Sequence, residues 1–211
     1  MPEQLGARLR EARMKQGLSL RSLAQSIGVS ASLVSQVEVG KTQPSVATLF
    51  ALASRLSVSF DELLGMSRPG DPVSSGAPSR ADAEPPARQK PGVIQRAIDN
   101  PVIEMEDGVR WEHLAAGPND PADAMLVTYQ PGATSSVEGK FMKHRGIEYA
   151  YLLEGELTLH LGDETYVLHG GDSIQFDSAL AHLYSNRGDA VVRGVWFLAG
   201  RRPQADGGSL A

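Results

Sequence analysis

Residues 17–45, GLSLRSLAQSIGVSASLVSQVEVGKTQPS, carry the clearest helical pattern in the first part of the chain. Ser19 and Ser30 each precede a run of apolar residues spaced three and four apart, the pattern of a short amphipathic helix with a serine N-cap. Gly28 and Gly40 follow the two runs, and glycine is the usual residue just beyond a helix C-terminus. The stretch therefore predicts two short helices joined by a tight turn.

The second of these helices has an outer face suited to reading DNA. Val34 and Val37 point toward the neighbouring helices, so small polar side chains occupy the opposite face. A helix-turn-helix lays such a helix in the major groove, where small side chains admit the backbone and a glutamine can bond an adenine edge. A solvated polar face with no partner is the alternative. The predicted DNA contacts, to bases or to phosphates, are Arg21, Gln25, Ser30, Ala31, Ser32, Ser35, Gln36, Lys41 and Thr42.

The whole chain divides into four regions, and their patterns together predict a multidomain α+β protein. Residues 1–66 carry five amphipathic segments and predict an all-α bundle of five helices. Residues 67–91 hold six of the 13 prolines and almost no bulky apolar residue, which predicts a flexible linker. Residues 92–200 alternate with period two between turn residues, from a first candidate strand at Val93–Ala97, and predict an all-β barrel or jelly roll. Residues 201–211 are expected to form a disordered tail.

Composition predicts a cytoplasmic protein. The chain has no cysteine, and no stretch reaches the roughly 18–20 apolar residues that a membrane span requires. The N-terminal residues lack the apolar core of a signal peptide. These features favour a reducing compartment and no membrane partner.

The acidic net charge does not exclude DNA as a partner. Residues 1–66 carry seven Lys/Arg and five Asp/Glu, a net charge of +2, whereas residues 92–211 carry nine and seventeen, a net charge of −8. Exposed charges are screened over about 8 Å at physiological salt. We expect the acidic barrel, held away on the linker, to leave the basic DNA-facing surface effective.

Roughly residues 5–65 resemble the phage-repressor-like, or Xre, family of helix-turn-helix regulators. The resemblance is carried by LAQSIGVS, SQVEVGKTQPS, TLFALASRLSVS and DELL. It implies an ion pair between Arg13 and Glu38, which would be a structural tie and not a base contact. It also implies a homodimer on a pseudo-palindromic operator in double-stranded DNA, since one such module covers a half-site. Three of the four base-facing residues are small, so DNA shape is expected to contribute to specificity.

Most of residues 125–200 resemble the cupin family, whose fold is a double-stranded β-helix or jelly roll. The motif residues are His144, Glu148, Gly155, Gly171, Asp172, Phe176, His182 and Asn186. The resemblance implies a metal site formed by His144, Glu148 and His182, a donor set that suits Fe, Zn, Mn or Ni. Metal-binding cupins have a further histidine where this chain has Met142, so an apo pocket that hydrogen-bonds an organic effector is the alternative.

Three further residues are candidates for the lining of this pocket, with ordinary core packing as the alternative for the aromatic ones. They are Met142, Tyr184 and Trp196.

Together the two resemblances predict a DNA-binding transcriptional regulator, expected to be a repressor, whose barrel binds a small-molecule effector or a divalent metal. Effector binding would alter the geometry of the dimer and therefore its affinity for the operator. A non-haem iron oxidase resembling hydroxypropylphosphonate epoxidase, which also joins a helix-turn-helix to a cupin, is the alternative. The catalytic lysine of that enzyme family falls here on Gly17, and its early-strand tyrosines have no counterpart in residues 109–113. A third possibility is a DNA-bound scaffold with an empty barrel.

Overall fold

The computed structural model describes residues 2–65, 94–115, 122–136 and 139–200. The predicted linker and the predicted tail lie outside the described residues. Five helices come first: α1 Pro2–Lys15, α2 Leu20–Ile27, α3 Ala31–Glu38, α4 Val46–Leu56 and α5 Phe60–Leu64. A 3-10 turn at Ala97–Asp99 precedes nine strands: β1 Val102–Glu104, β2 Val109–His113, β3 Ala122–Tyr129, β4 Ile147–Glu154, β5 Glu156–Leu161, β6 Glu164–His169, β7 Ser173–Asp177, β8 His182–Ser185 and β9 Val192–Ala199.

Serine caps start the helices at the predicted places. The side-chain oxygens of Ser19, Ser30 and Ser45 each accept the backbone N–H of the residue three positions further on. Ser59 caps α5 in the same way, and the Glu62 carboxylate accepts the Ser59 N–H at 2.8 Å, which completes a capping box. The predicted all-α bundle of five helices is confirmed.

Close approach of two helices depends on a glycine in α1. A Cβ atom at Gly6 would lie 2.4 Å from the carbonyl oxygen of Val37, so any larger residue would force α1 away from α3. The apolar faces of the helices meet in a core that includes Leu9, Leu23 and Leu49, each at most 1% exposed. This packing fixes the orientation of α3 relative to the rest of the bundle.

The strands form two antiparallel sheets, as the period-two pattern predicts for a jelly roll. The larger sheet has the order β1-β2-β3-β9-β4-β7, and the smaller has the order β6-β5-β8. Alternate side chains of both sheets are buried, including Val127 and Leu152 from the larger sheet and Leu157 from the smaller. The α+β class with a C-terminal all-β cupin-type barrel is confirmed.

The prediction of a first strand at Val93–Ala97 is wrong. Residues 94–96 have no regular structure and the 3-10 turn follows them. Ile94 and Ile98 are 57% and 91% exposed, so the alternation that suggested a strand has no buried face to occupy. The first strand is instead β1, which pairs with β2.

The helical half packs directly on the barrel, whereas the sequence suggested an acidic barrel held away on a linker. The Ala47 N–H donates to the Ser135 carbonyl at 3.0 Å, and the Glu106 N–H donates to the Pro44 carbonyl at 3.3 Å. The Phe50 ring lies against the barrel residue Trp111, edge to face, at a centroid distance of 5.5 Å. Apolar side chains of α4 and α5 therefore meet an apolar barrel opening, which favours docking through the hydrophobic effect.

None of the helices in the described part of the chain has the length and the apolar content that a bilayer crossing requires.

Candidate functional site

The third helix presents a polar face to solvent and an apolar face to the bundle. Val34 and Val37 are 1% and 2% exposed, whereas Ser32 and Gln36 are exposed. The Thr42 hydroxyl donates to the Gln36 side-chain oxygen at 3.2 Å, which leaves the amide NH2 group directed elsewhere. The helix thus offers small hydroxyls and one oriented amide on the side away from the bundle.

The other predicted DNA contacts surround this face. Those that are exposed are Arg21, Gln25, Ser30 and Lys41, and those that are half-buried are Ala31, Ser35 and Thr42. The structure therefore brings all nine predicted residues to α3, to the turn before it or to its flanks, and the docked barrel does not bury any of them.

The predicted tie between α1 and α3 is present. Nε and Nη2 of Arg13 donate to the two carboxylate oxygens of Glu38 at 2.6 and 2.8 Å. Both side chains are largely buried, at 11% and 5% exposure. A bidentate pair of this kind fixes α3 on α1 and keeps the Glu38 carboxylate away from the exposed polar face of α3.

The barrel brings together three potential metal ligands from distant parts of the chain. His144 and His182 each direct Nε2 toward Oε2 of Glu148, at distances of 3.3 and 3.6 Å. All three side chains are buried, and one ligand atom of each lies within 4.8 Å of the others. A metal ion about 2.0–2.2 Å from each ligand atom would hold neighbouring ligand atoms about 3.0–3.5 Å apart, so the spacing suits one ion.

Hydrogen bonds on the far side of each imidazole prepare it for ligation. Nδ1 of His182 lies 2.8 Å from the Leu180 carbonyl, and Nδ1 of His144 lies 3.3 Å from the Arg145 carbonyl. A proton on each Nδ1 leaves the Nε2 lone pair free, and both Nε2 atoms are buried without a hydrogen-bond partner. Two buried lone pairs beside a carboxylate fit a bound divalent cation, because the ion would satisfy them together.

The electrostatics of the site keep its donors in the ligating form. Burial raises the pKa of Glu148, but positive charge on the adjacent imidazoles of His144 and His182, together with the Tyr184 hydroxyl, lowers it more, so the carboxylate stays ionised; a bound cation would supply that positive charge beside neutral imidazoles. Burial lowers the pKa of His182, which favours the neutral imidazole. Burial raises the pKa of Tyr184 well above its usual value, so its hydroxyl remains a donor to Glu148 at 2.6 Å.

The barrel interior next to this site is nearly full. Its cavity has a volume of about 20 Å³. The lining includes all three predicted pocket residues, Met142, Tyr184 and Trp196, together with Glu148, Trp111 and Tyr129. With α4 docked, the space holds about one water molecule.

Helix α4 also contributes a side chain to this site, which no local pattern in the sequence indicates. The Phe50 ring stacks on the His144 imidazole at a centroid distance of 4.3 Å and an interplanar angle of 11°. The sequence placed Phe50 on the inner face of a helix, and the periodicity gives no sign that this face meets another domain. Only the docking of the two halves brings Phe50 to His144.

Comparisons with known families agree with this division of the chain. Residues 9–63 match the helix-turn-helix family, and residues 125–198 match the cupin domain family. Each match covers the part of the chain in which the corresponding site lies.

Two curated relatives align along nearly the whole chain. The HTH-type transcriptional regulator PuuR of Escherichia coli (strain K12) is 31% identical over 190 residues, which cover 89% of this chain and 90% of that protein. The HTH-type transcriptional regulator SutR of the same organism is 24% identical over 188 residues, with coverage of 89% and 90%.

A solved structure has the same fold. The crystal structure of an HTH_3 family transcriptional regulator from Vibrio cholerae superposes with a TM-score of 0.64. The superposition covers 96% of this chain and 97% of that chain at 21% sequence identity.

Proposed function

Because the chain belongs to the family of helix-turn-helix transcriptional regulators with a C-terminal cupin domain, we propose that α3 reads an operator while the barrel senses a small molecule or a metal ion. The protein is a DNA-binding transcriptional regulator and not an enzyme, since the curated relatives that align along nine-tenths of it are named as such regulators. The epoxidase alternative is disfavoured on the same ground. We also propose a cytoplasmic location, which a DNA partner supports.

The exposed polar face of α3 is the observation that supports operator reading most directly. We assign base contacts to Ser32 and Gln36, which are exposed and lie opposite the buried Val34 and Val37, and to the half-buried Ala31 and Ser35, which flank them. The remaining assigned contacts are directed to phosphates, which fix the position of the helix on the duplex without reading sequence. They are Arg21, Gln25, Ser30, Lys41 and Thr42.

Operator selection in vitro tests this assignment. Fragments of the genome that the full-length protein retains are sequenced, and the strongest is used in fluorescence-anisotropy titrations. Ser32→Ala combined with Gln36→Ala is expected to weaken binding about tenfold or more, because good base contacts contribute about 1–3 kcal/mol each. Ser54→Ala, at an exposed position of α4, is the matched control. Equal affinity of the double variant and the control would contradict the assignment.

We propose that His144, Glu148 and His182 hold a divalent cation such as Fe, Zn, Mn or Ni. Support comes from the two buried Nε2 atoms that lack hydrogen-bond partners beside an ionised carboxylate. A bound ion would supply a Lewis-acidic centre with open positions for an effector. Elemental analysis of the purified protein is expected to show metal that is lost in His144→Ala and retained in His160→Ala, a histidine outside the group. Retention in His144→Ala would refute the ligand set.

We also propose a homodimer, because one helix-turn-helix covers only half of a pseudo-palindromic operator. An apolar strip on the outer face of the larger sheet supports self-association. Tyr149, Tyr151 and Phe197 are 44–48% exposed there, and Tyr149 is the cross-strand partner of Phe197. Tyr151→Lys with Phe197→Glu is expected to convert a dimer to a monomer in light scattering. A wild-type monomer on DNA would contradict this proposal.

The direction of regulation that we propose is repression. A dimer bound across a promoter blocks access of the polymerase, and no further contact is needed for this effect. Addition of the protein to an in vitro transcription reaction on its selected operator is expected to lower transcript yield. Increased yield would contradict repression and leave the assignment of the DNA-reading face unchanged.

A further inference from the structure

The barrel as it stands has no room for an organic effector. Three protein ligands leave at least one open position on a metal ion. The adjacent cavity of about 20 Å³ accommodates about one water molecule at that position. Any larger ligand therefore has to displace a side chain that lines the cavity.

Phe50 and Met142 separate this cavity from a much larger space. Both residues line the barrel cavity, and both also line a cleft of about 410 Å³ between the helical half and the barrel. Phe50 comes from α4 and covers the face of the His144 ring. Met142 is held by paired backbone hydrogen bonds with His182, at 2.8 and 3.0 Å. Of the two, Phe50 is the side chain that moves whenever α4 moves.

The cleft has walls of mixed chemistry. Its helical side is largely apolar and includes Leu33 of α3, together with Ala47 and Ala51 of α4. Its barrel side carries two exposed lysines, Lys140 and Lys143, and one exposed carboxylate, Glu106. An elongated organic anion matches these walls, since its carbon chain would bury apolar surface and the two lysines outnumber the single carboxylate, which leaves the barrel side with a net positive charge.

We propose that the cavity and the cleft form one bipartite ligand site, which opens when the Phe50 ring is displaced. The inference rests on the proposed effector role of the barrel and names its ligand class. The ligand is an organic acid with a chelating head at His144, Glu148 and His182 and a chain of several carbons in the cleft. A divalent ion with a single carboxylate ligand keeps a positive charge, which favours an anionic head.

Such a ligand would act directly on the helix-turn-helix. The chain would contact Leu33 of α3 and Val29 in the turn before it. The same anion would attract the ammonium group of Lys140. That group donates to the Gly28 carbonyl at the end of α2, at 3.2 Å. Ligand binding and the docked position of the DNA-reading helices therefore share the same contacts, which couples the two sites.

Two hydroxamates of different length test the site in the full-length protein. Hydroxamates chelate metal ions, and the Co²⁺-loaded protein reports their binding through its visible absorption. Octanohydroxamate is expected to bind more than tenfold more tightly than acetohydroxamate, since each buried methylene contributes about a factor of four. Ala51→Trp fills the cleft and is expected to remove this gain, so that the two hydroxamates bind this variant with similar affinities. Ser54→Trp, on the exposed side of the same helix, is expected to keep it.

Tryptophan emission gives an independent measurement of the displacement of the Phe50 ring. The chain has two tryptophans, and Trp111 contacts Phe50. In Zn²⁺-loaded Trp196→Phe protein, octanohydroxamate is expected to shift the Trp111 emission to longer wavelength. Phe50→Ala is expected to tighten acetohydroxamate binding about tenfold, because no ring has to be displaced. Leu52→Ala, an equally buried α4 residue that lines neither space, is the control.

Four outcomes decide between the proposals. Equal affinities for the two hydroxamates, or a chain-length gain that survives in Ala51→Trp, would overturn the bipartite site. An unchanged Trp111 emission on octanohydroxamate binding would do the same. Absence of a Co²⁺ spectrum before any hydroxamate is added would instead refute the proposed metal site, and with it this extension.

Discussion

The α3 face and the barrel site differ in where their chemistry lies. The α3 face consists of exposed side chains within one short helix, such as Ser32 and Gln36. The barrel site consists of side chains at most 8% exposed, His144, Glu148 and His182, which the chain order separates by up to 38 positions. The first surface is complete in the isolated element, whereas the second exists only when several strands and α4 are in place.

Because of this difference, we expect the two regions to respond differently to mutation. A polar residue on a solvated helix face is already hydrated, so its loss affects the partner more than the fold. A polar residue in the barrel is satisfied only by its neighbours, so its loss disturbs the whole group. Phe50 belongs to both regions, because it lies in the core of the helical half and its ring stacks on the His144 imidazole in the barrel.

The largest effect is expected where the DNA-reading half itself depends on a buried polar group. Arg13→Ala leaves the Glu38 carboxylate buried and unpaired, which is expected to lower the free energy of unfolding by about 3 kcal/mol. Urea denaturation followed by circular dichroism measures this loss. Operator binding should fall with it, since α3 loses its tie to α1.

The matched control for this pair is a neighbouring ion pair in solvent. Lys15 and Glu11 on α1 are 74% and 64% exposed, so Lys15→Ala is expected to leave the urea midpoint unchanged. If Arg13→Ala also left the urea midpoint unchanged, the position of α3 would not depend on this buried ion pair. The α3 face would then differ from the barrel site more strongly, because none of its stability would come from buried polar contacts.

An intermediate effect is expected from the hydroxyl that orients the barrel carboxylate. Tyr184→Phe removes the donor to Glu148 without changing the shape of the side chain. Metal affinity is expected to fall about tenfold, the usual consequence of losing a group that supports a ligand. Competition with a chelating dye measures the affinity, and Tyr151→Phe on the outer face is the control. Identical affinities would show that the strands alone orient Glu148.

The smallest effect is expected at the boundary between the two halves. Asp107 lies in the turn after β1, next to Glu106, whose N–H bonds the start of α4. Burial, followed by the charge of Glu106, raises the pKa of Asp107 to about 6, from 3.8. The folded protein therefore binds this proton more tightly than the unfolded chain, so stability is lost as the pH rises through about 6.

Asp107→Asn removes that ionisation. Thermal unfolding is expected to show a gain of no more than about 1 kcal/mol at pH 8, because solvent screens a partly exposed carboxyl. Near pH 4 the gain should vanish, because Asp107 is then protonated in the folded protein and no carboxylate charge destabilises it. A gain of equal size at both pH values would assign the effect to packing and not to charge.

Local patterns predicted the helices and their caps well because the signals and the structures share the same few residues. The Ser30 cap, the buried Val34 and the exposed Gln36 all follow from spacing within α3. The strand predicted at Val93–Ala97 failed because alternation indicates a strand only when a partner covers one face. For β1 that partner is β2, and no local signal distinguishes the paired segment from the unpaired one.

Local patterns along the chain were enough to predict the two folds, the capped third helix, the Arg13–Glu38 ion pair and the three potential ligands. Tertiary structure alone decided that the helices dock on the barrel, that Phe50 stacks on His144, and that the barrel cavity shrinks to the size of a water molecule. The two kinds of feature differ in how far apart along the chain the interacting residues are. Capping and helical periodicity involve residues only a few positions apart. Packing between domains depends on surfaces that distant segments create together.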